Sequence, residues 1–365
     1  MNIIRIIGEN ERQQGIYYEY DRDSAPLGEG GMGRIYQGFR VDEGSGGFRT
    51  HVAIKAIHDS VARDPQLIER AVREASIQIV HENLLYMYGL VCNVEYDPGF
   101  NINTPRYYMV MERLVGVNLD QIINGSFYDR SGLHVPYAEQ LYQLYMNNRV
   151  EAIVHIMKNV LAGIMSLHEK GFIHRDIDPS NIMVTIDNKI KLVDYGICKH
   201  IDTLASEKSL TQAGSFLGKV NYAAPELALG DVAHQNRTTD IYAVGVLIYQ
   251  LAVGRLPFSG TNQEVLEAQV SRKMPVSDIP NKALRRIVEK ATNKKQEKRY
   301  ASAAEMIADL ERVSDTSTNT DPGTNVNTGT NTDRKTSSVI LTVVIWVAVA
   351  ITGLVSGMLL KFILE

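Results

Sequence analysis

The sequence predicts an α+β fold in which a small β-rich lobe precedes a larger helical lobe. The length of 365 residues exceeds one typical domain of roughly 100–200 residues, so two folding units or one large two-lobed domain are expected. Up to about Met111, short apolar runs alternate with glycine-rich turns, which is typical of strands. Beyond that point, apolar residues recur at helical spacing over long stretches.

The small lobe is predicted over 20–111, after an N-terminal segment of residues 1–19. Its most strand-like runs are 34–36, 52–54 and 108–111. The Gly-Ser-Gly-Gly run at 44–47 predicts a turn, and one helical stretch, 65–80, interrupts the strands. A sheet with a single early helix is therefore expected.

The large lobe is predicted over 115–312. Residues 150–169 carry apolar side chains at helical spacing and are followed by Gly171, a residue type that commonly ends helices. Residues 240–253 are apolar nearly all round, which is typical of a helix buried in the centre of a domain.

After the large lobe, the composition predicts a tether and a membrane anchor. Residues 313–338 are mostly Thr, Asn, Ser, Asp and Gly, which is too polar to repay the entropy of folding. The 22 residues 339–360 carry no charge and would form a helix about 33 Å long, against about 30 Å of hydrocarbon. Arg334 and Lys335 favour a cytoplasmic domain and a short outer tail, 361–365. A buried helix is the alternative.

Two further features concern partners. Gly353 and Gly357 form a G-x-x-x-G pattern, which either brings two membrane helices together as a homodimer or has no meaning. With 38 Lys and Arg against 42 Asp and Glu, the net charge of −4 gives no reason to expect nucleic-acid binding.

Cys92 and Cys198 are too few for a disulfide framework, so a reduced, cytosolic setting is expected for the main domain.

Glycines in segment 27–36 have the spacing of a phosphate-binding loop. Gly28, Gly30 and Gly33 form G-x-G-x-x-G, which would let backbone N–H groups approach phosphate oxygens; taken alone the motif is weak, and a plain tight hairpin is the alternative. Lys55 closes the next strand, and Glu74 on the following helix is able to pair with it.

The segment 174–181 reads His-Arg-Asp-Ile-Asp-Pro-Ser-Asn, and Asp-Tyr-Gly follows at 194–196. One carboxylate there is able to orient a hydroxyl group and accept its proton. Asn181 and Asp194 supply the oxygen ligands that Mg²⁺ prefers. An Ala-Pro-Glu run follows at 224–226.

In this order and spacing, these motifs resemble the eukaryotic-like Ser/Thr protein kinases, and the Gly-Gly-Met-Gly form of the loop is similar to the bacterial branch. The resemblance covers about 20–312. It implies a bilobal protein kinase fold, ATP and Mg²⁺ between the lobes, and Ser or Thr hydroxyls of proteins as substrates, including the chain itself. A nucleotide-binding pseudokinase that acts as a membrane scaffold, and tyrosine specificity, remain open.

The resemblance also implies a role for each site residue. Lys55 would contact the α and β phosphates and pair with Glu74, Asp176 would be the catalytic base, and Asn181 and Asp194 would bind Mg²⁺. The other residues implied for nucleotide binding are Gly28, Gly30, Gly33, Ile35, Ala53, Glu112 and Leu114, the last two through their backbone in a hinge behind Met111. Two structural roles are implied as well: Asp240 would brace the catalytic loop, and Arg299 would pair with Glu226.

Three positions depart from the family pattern. Tyr195 replaces a Phe, Asp178 stands where a lysine usually contacts the γ-phosphate, and Lys219 stands where a threonine is usual. We therefore predict that Lys219 pairs with Asp178 and supplies the missing positive charge, the alternative being two tolerated changes in a weak or inactive kinase. Because Arg175 precedes the catalytic Asp, phosphorylation of the activation loop, with Thr211 favoured, is also predicted.

Overall fold

The computed structural model describes residues 1–97, 101–194, 199–200 and 219–317, with the exception of some side chains in this range. The described residues fall within one compact unit, Met1–Asn319. Several predicted features lie outside the described residues: Tyr195, Cys198, Thr211, the linker after residue 317 and the apolar run 339–360 with Gly353 and Gly357. The described part contains both lobes.

A seven-stranded antiparallel sheet forms the small lobe. The order of its strands is β1-β2-β4-β5-β7-β6, and β3 pairs with β4 outside this path. The strands are β1 (Ile3–Ile6), β2 (Ile16–Asp21), β3 (Gly28–Gly30), β4 (Gly33–Asp42), β5 (Phe48–Ile57), β6 (Met87–Asp97) and β7 (Ile102–Glu112). All three runs predicted as strands therefore lie in this sheet, and the 44–47 turn joins β4 to β5.

The sheet begins earlier in the chain than the sequence predicted. Residues 1–19, predicted as a separate segment, contribute β1 and most of β2, and β2 pairs onward with β4. Ile6 has no exposed surface, and β2 buries Ile16, Tyr18 and Tyr20 at alternate positions. This alternation is the burial pattern of a strand with one face in the core.

The two ends of the strand order meet, so the sheet curls toward a closed barrel. The Asn93 side chain on β6 accepts a long hydrogen bond from Ile7 N and donates one to Arg5 O, both 3.5 Å. The residues that fill the interior come from both ends of the sheet: Ile6, Ile16, Tyr18, Tyr20, Tyr36, Val52, Ile54, Val91, Tyr108 and Val110. β1 is thus part of the core of this lobe.

Three helices accompany the sheet: α1 (Glu9–Gln14), α2 (Asp59–Ala62) and α3 (Pro65–Ala75). The helix predicted over 65–80 ends at Ala75. From there the chain buries Ile77 and Ile79 and exposes Gln78 and Val80. A burial period of two residues belongs to extended chain, and it replaces the helical period at this point.

The large lobe is mainly helical. Its helices are α4 (Leu119–Ile123), α5 (Pro136–Asn147), α6 (Arg149–Glu169), α7 (Pro225–Ala228), α8 (Arg237–Val253), α9 (Asn262–Ser271), α10 (Lys282–Ala291) and α11 (Ala303–Ser317). Its short strands are β8 (Gly116–Asn118), β9 (Phe172–Ile173), β10 (Ile182–Thr185), β11 (Ile190–Leu192) and β12 (Lys199–His200), ordered β11-β10-β8 and β12-β9.

Helices α6 and α8 form the centre of this lobe; the apolar patterns predicted both helices and the central position of α8. A capping box of Asn236 and Thr239 begins α8, and Gly254 ends it in a left-handed conformation with φ of 84°. Among the described helices, α6 alone is long and apolar enough to cross a membrane by length and composition. More than half of its apolar window, 56%, is buried within the protein, so core packing accounts for its apolarity.

Candidate active site

A buried carboxylate on α8 holds the loop between β9 and β10. Asp240 has no exposed surface and accepts hydrogen bonds from His174 N at 2.9 Å, from Arg175 N at 2.8 Å and from His168 Nε2 at 2.7 Å. Burial alone would raise the pKa of Asp240, but the hydrogen bond and charge of His168 hold it below its ordinary value. Arg175 has a positive φ of 71°, and its N–H donates to Asp240. The brace implied by the resemblance is present.

Asn181 joins the segment of the predicted base, Asp176, to the segment of the predicted metal ligand, Asp194. Its Nδ2 donates to Asp176 O at 2.9 Å and to Asp176 Oδ2 at 3.0 Å. Its backbone O accepts a hydrogen bond of 2.9 Å from Val193 N, so Asp194 follows directly beside it. Asp194 has a positive φ of 64°. The Asn181 side chain therefore holds Asp176, and its backbone oxygen holds the residue before Asp194.

Asp176 lies in a cluster of acidic groups. Burial raises its pKa, the charge of His174 opposes this effect, and the negative charges of Asp178 and Asp194 add to it. A carboxylate whose pKa is raised in this way is a better proton acceptor than a free aspartate. The electrostatic surroundings of Asp176 therefore suit its predicted role as the base.

The donor set at this cluster fits Mg²⁺. Because the Asn181 NH₂ group is engaged by Asp176, its Oδ1 is the atom left to act as an acceptor, and the charge of Asp194 is close enough to raise the pKa of Asp176. Within the described part of the chain, no group of three or more His, Cys, Asp or Glu residues forms a metal cage. Mg²⁺ typically takes one or two protein oxygens together with substrate phosphates and water.

Lys219 and Asp178, the two unusual residues, contact each other. Lys219 Nζ lies 2.7 Å from Asp178 Oδ1 and 2.8 Å from Ser180 Oγ. The Asp178 side chain is 1% exposed and the Lys219 side chain is 49% exposed. The lysine therefore contacts a buried carboxylate while about half of its own side chain remains accessible to solvent. Lys219 N also donates to Asp176 Oδ1 at 3.4 Å. The cation therefore lies in the same loop cluster as the predicted base.

The glycine hairpin and Lys55 occupy neighbouring strands. In register, Gly28 of β3 lies opposite Ile35 of β4, and Ile35 lies opposite Lys55 of β5. A Cβ atom at Gly33 would lie 2.1 Å from Ala56 O, so only glycine fits that position. A Cβ atom at Gly30 would meet nothing within 4 Å, so the tip is open to a ligand.

Two further predicted site residues, Ala53 and Glu74, lie in the small lobe. Ala53 lies opposite Met111 in the pairing of β5 with β7, beside the predicted hinge. Glu74 lies on α3, but its side chain is not among those described, so its pairing with Lys55 stays a prediction.

The hinge contains an ion pair that the sequence did not reveal. Lys191, whose side chain is 8% exposed, donates to Glu112 Oε1 at 2.6 Å and to Leu84 O at 2.9 Å. Glu112 Oε1 also accepts from Tyr86 N at 2.7 Å. The Glu112 side chain, 26% exposed, is thus fixed by two hydrogen bonds, and Leu114 nearby is half-buried. A lysine inside the apolar strand 190–192 was the available signal.

Glu226 and Arg299 form the second implied ion pair. Arg299 Nη1 and Nη2 donate to the two Glu226 carboxylate oxygens at 2.8 and 2.9 Å, and Thr239 Oγ1 adds a third bond at 2.8 Å. Burial alone would raise the pKa of Glu226, but the hydrogen bonds and charge of Arg299 hold it below its ordinary value. A fully buried bidentate pair fixes the Ala-Pro-Glu segment onto the large lobe.

A glycine hairpin and a strand lysine in a curled small lobe, with an Asp–Asn–Asp cluster in a helical large lobe, are the parts of a protein kinase fold. The chain belongs to the protein kinase domain family, whose model matches residues 22–310.

Three relatives of this chain are bacterial serine/threonine-protein kinases. The chain is 31% identical over 289 residues to serine/threonine-protein kinase Pkn1 of Myxococcus xanthus, covering 76% of this chain and 36% of the relative. It is 30% identical over 301 residues to PrkC of Bacillus subtilis (79% and 40%) and 30% identical over 296 residues to PknB of Mycobacterium tuberculosis (79% and 42%). The chain thus spans about two fifths of the length of the curated relatives it matches.

Proposed function

We propose that this protein is an ATP-dependent Ser/Thr protein kinase that transfers the γ-phosphoryl group to protein hydroxyls, its own included. The observation that carries the proposal is the Asp176–Asn181–Asp194 cluster, in which the Asn181 side chain holds Asp176 and its backbone oxygen holds the residue before Asp194. The names of the relatives, all serine/threonine-protein kinases, support the choice of hydroxyl.

In this mechanism Asp176 accepts the proton of the substrate hydroxyl. Asn181 Nδ2 holds Asp176 Oδ2, and Oδ1, which accepts a long bond of 3.4 Å from Lys219 N, is the atom that takes the proton. Asn181 and Asp194 hold Mg²⁺, which when bound neutralises charge on the phosphates. Lys55 contacts the α and β phosphates, held there by Glu74.

Nucleotide binding is assigned to the sheet and the hinge. The backbone N–H groups of the glycine hairpin, Gly28, Gly30 and Gly33, cover the phosphates. Ile35 and Ala53 provide apolar contact for the adenine ring, and the backbone of Glu112 and Leu114 hydrogen-bonds its edge. The Lys191 pair supports this assignment, because it engages the Glu112 carboxylate; Glu112 N donates to Tyr86 O, so the Glu112 carbonyl is the backbone group assigned to the base.

We infer a catalytic role for Lys219 as well. Its Nζ contacts Asp178 and Ser180 within the catalytic loop, and nearly half of the side chain stays exposed. A cation here stabilises charge that develops on the transferred phosphoryl group. The same contact weighs against the pseudokinase alternative, since the two unusual residues compensate each other and the site keeps its cation.

The test of the proposed activity uses the full chain in detergent with labelled ATP. With Mg²⁺ present, phosphate is expected on Ser or Thr residues of the chain or of an added protein substrate. Chelation of Mg²⁺ with EDTA should abolish incorporation, and excess Mg²⁺ should restore it, because the metal is needed to neutralise the phosphates. Nucleotide binding without any incorporation would establish the pseudokinase, and phosphate on tyrosine alone would refute the Ser/Thr assignment.

We also propose that residues 339–360 anchor the chain in the cell membrane as a single pass, with the kinase domain on the cytoplasmic side and 313–338 as its tether. The support is the uncharged run, long enough for the hydrocarbon core, with Arg334 and Lys335 before it. Gly353 and Gly357 would then form the contact of a homodimer.

Membrane fractionation checks the anchor. The full chain is expected to stay in the membrane pellet after an alkaline carbonate wash, whereas a variant that lacks 339–365 is released. In detergent, Gly353→Leu with Gly357→Leu should reduce cross-linked dimer. Release of the full chain by the wash would refute the anchor.

A further inference from the structure

A short hairpin of the large lobe projects between α4 and α5. Val135 N donates to Phe127 O at 2.8 Å, and Asp129 N donates to Leu133 O at 2.9 Å, so two backbone bonds close the hairpin 127–135. Its residues lie outside the glycine hairpin, the catalytic loop and the Ala-Pro-Glu run.

The side chain of Asp129 fixes the tip of this hairpin. Asp129 Oδ1 accepts hydrogen bonds from Ser131 N at 2.9 Å, Ser131 Oγ at 2.6 Å and Leu133 N at 2.9 Å. Gly132 at the tip has φ of 82°, which suits glycine. Because these hydrogen bonds hold the backbone on both sides of Arg130, its side chain projects from a fixed position.

Arg130 reaches the other lobe. Its Nη1 donates to the backbone O of Leu27 at 2.5 Å, across 103 positions of the sequence. Leu27 N donates to Ile35 O at 2.7 Å, and Leu27 directly precedes the glycine hairpin of β3 and β4. A Cβ atom at Gly28 would lie 3.1 Å from Arg130 Nη1, so the guanidinium also lies against the first glycine.

We propose that Arg130 is a positioning residue for nucleotide binding: it fastens the base of the glycine hairpin to the large lobe and thereby sets how tightly the cleft holds its nucleotide. The inference rests on the proposed function in one respect, that the cleft is a nucleotide site.

Arg130 changes the populations of the closer and the more open arrangements of the two lobes. The bond from Arg130 to Leu27 O exists only while the two lobes are this close, so it favours that arrangement over more open ones. The apparent affinity of a ligand that binds between the lobes rises with the fraction of molecules in the competent arrangement. Arg130 acts on the backbone of the small lobe, so its effect does not depend on the phosphates of the ligand.

The test measures equilibrium binding of ATP, ADP and adenosine to the full chain by fluorescence titration. Arg130→Gln is expected to weaken all three by the same factor, about threefold to tenfold, the size of a surface hydrogen bond from a charged group. Arg130→Lys should recover part of the loss. In turnover assays KM for ATP should rise while kcat at saturating ATP changes little.

A second variant tests the role of the hairpin itself. Asp129→Ala should weaken binding by a similar factor, and the double variant should be no worse than Arg130→Gln, because both changes remove one interaction. The matched control is Arg286→Gln, an exposed arginine of α10, which should bind all three ligands as wild type does.

Three outcomes would overturn the proposal: wild-type affinity in Arg130→Gln, a loss confined to ATP and ADP, which would indicate a direct phosphate contact, or an equal loss in the control. Binding is read without phosphate transfer, so a protein that binds nucleotide but transfers nothing refutes only the proposed function. A wild type that binds none of the three ligands would refute both.

Discussion

Asp176→Asn is expected to lower kcat by about 10²–10⁴-fold while ATP affinity stays close to that of the wild type. Positioned general bases contribute rate factors of about this size. The amide occupies nearly the same volume and keeps an oxygen for the Asn181 Nδ2 bond, so the main contact of the loop is preserved, while proton acceptance and the long bond from Lys219 N are lost.

The control for this variant is Asp187→Asn, the same change at a carboxylate whose side chain is 60% exposed in the turn between β10 and β11. It should turn over like the wild type. Single-turnover and ATP-binding measurements separate chemistry from binding. If Asp176→Asn kept more than a tenth of the wild-type kcat, the assignment of the base would be wrong.

Lys219→Met is expected to lower kcat by about 10²–10³-fold, the usual loss when one group that stabilises transition-state charge is removed. The variant also leaves Asp178 buried without its cation. KM for ATP should change much less than kcat, because the cation acts on the phosphoryl group during transfer. Lys189→Met is a matched control, since that side chain is 43% exposed and Lys219 is 49% exposed.

The reciprocal exchange is the sharper test. The single change Asp178→Lys places two cations together and should impair turnover, whereas Asp178→Lys combined with Lys219→Thr should recover much of it, since the pair then has the arrangement usual in the family. A non-additive recovery of this kind measures the coupling of the two residues. Unchanged turnover in Lys219→Thr together with impaired turnover in Asp178→Lys would refute the exchange.

The sequence predicted the parts of the site that depend on local motifs and on the family pattern. The brace at Asp240, the Glu226–Arg299 pair and the central helix α8 are present as predicted. The contact of Lys219 with Asp178 was predicted as well, because two departures in neighbouring functional positions pointed to each other.

The remaining contacts had no local signal. Lys191 pairs with Glu112, 79 positions away, and a single lysine in an apolar strand does not specify its partner. Arg130 binds a backbone carbonyl, a group that every residue carries, so no pattern of side chains marks Leu27 as its partner. The early end of α3 depended on the burial of Ile77 and Ile79, which tertiary packing decides.

The early start of the sheet determines how this protein can be shortened. The family match begins at residue 22, yet β1 and β2 lie before that point and cover one edge of β4. A chain cut at the family boundary would uncover the backbone N–H and C=O groups of β4 and remove Tyr18 and Tyr20 from the barrel interior. An uncovered strand edge pairs readily with other chains, so such a fragment would be prone to aggregate. The first twenty-one residues therefore belong to the smallest piece that retains the whole small lobe.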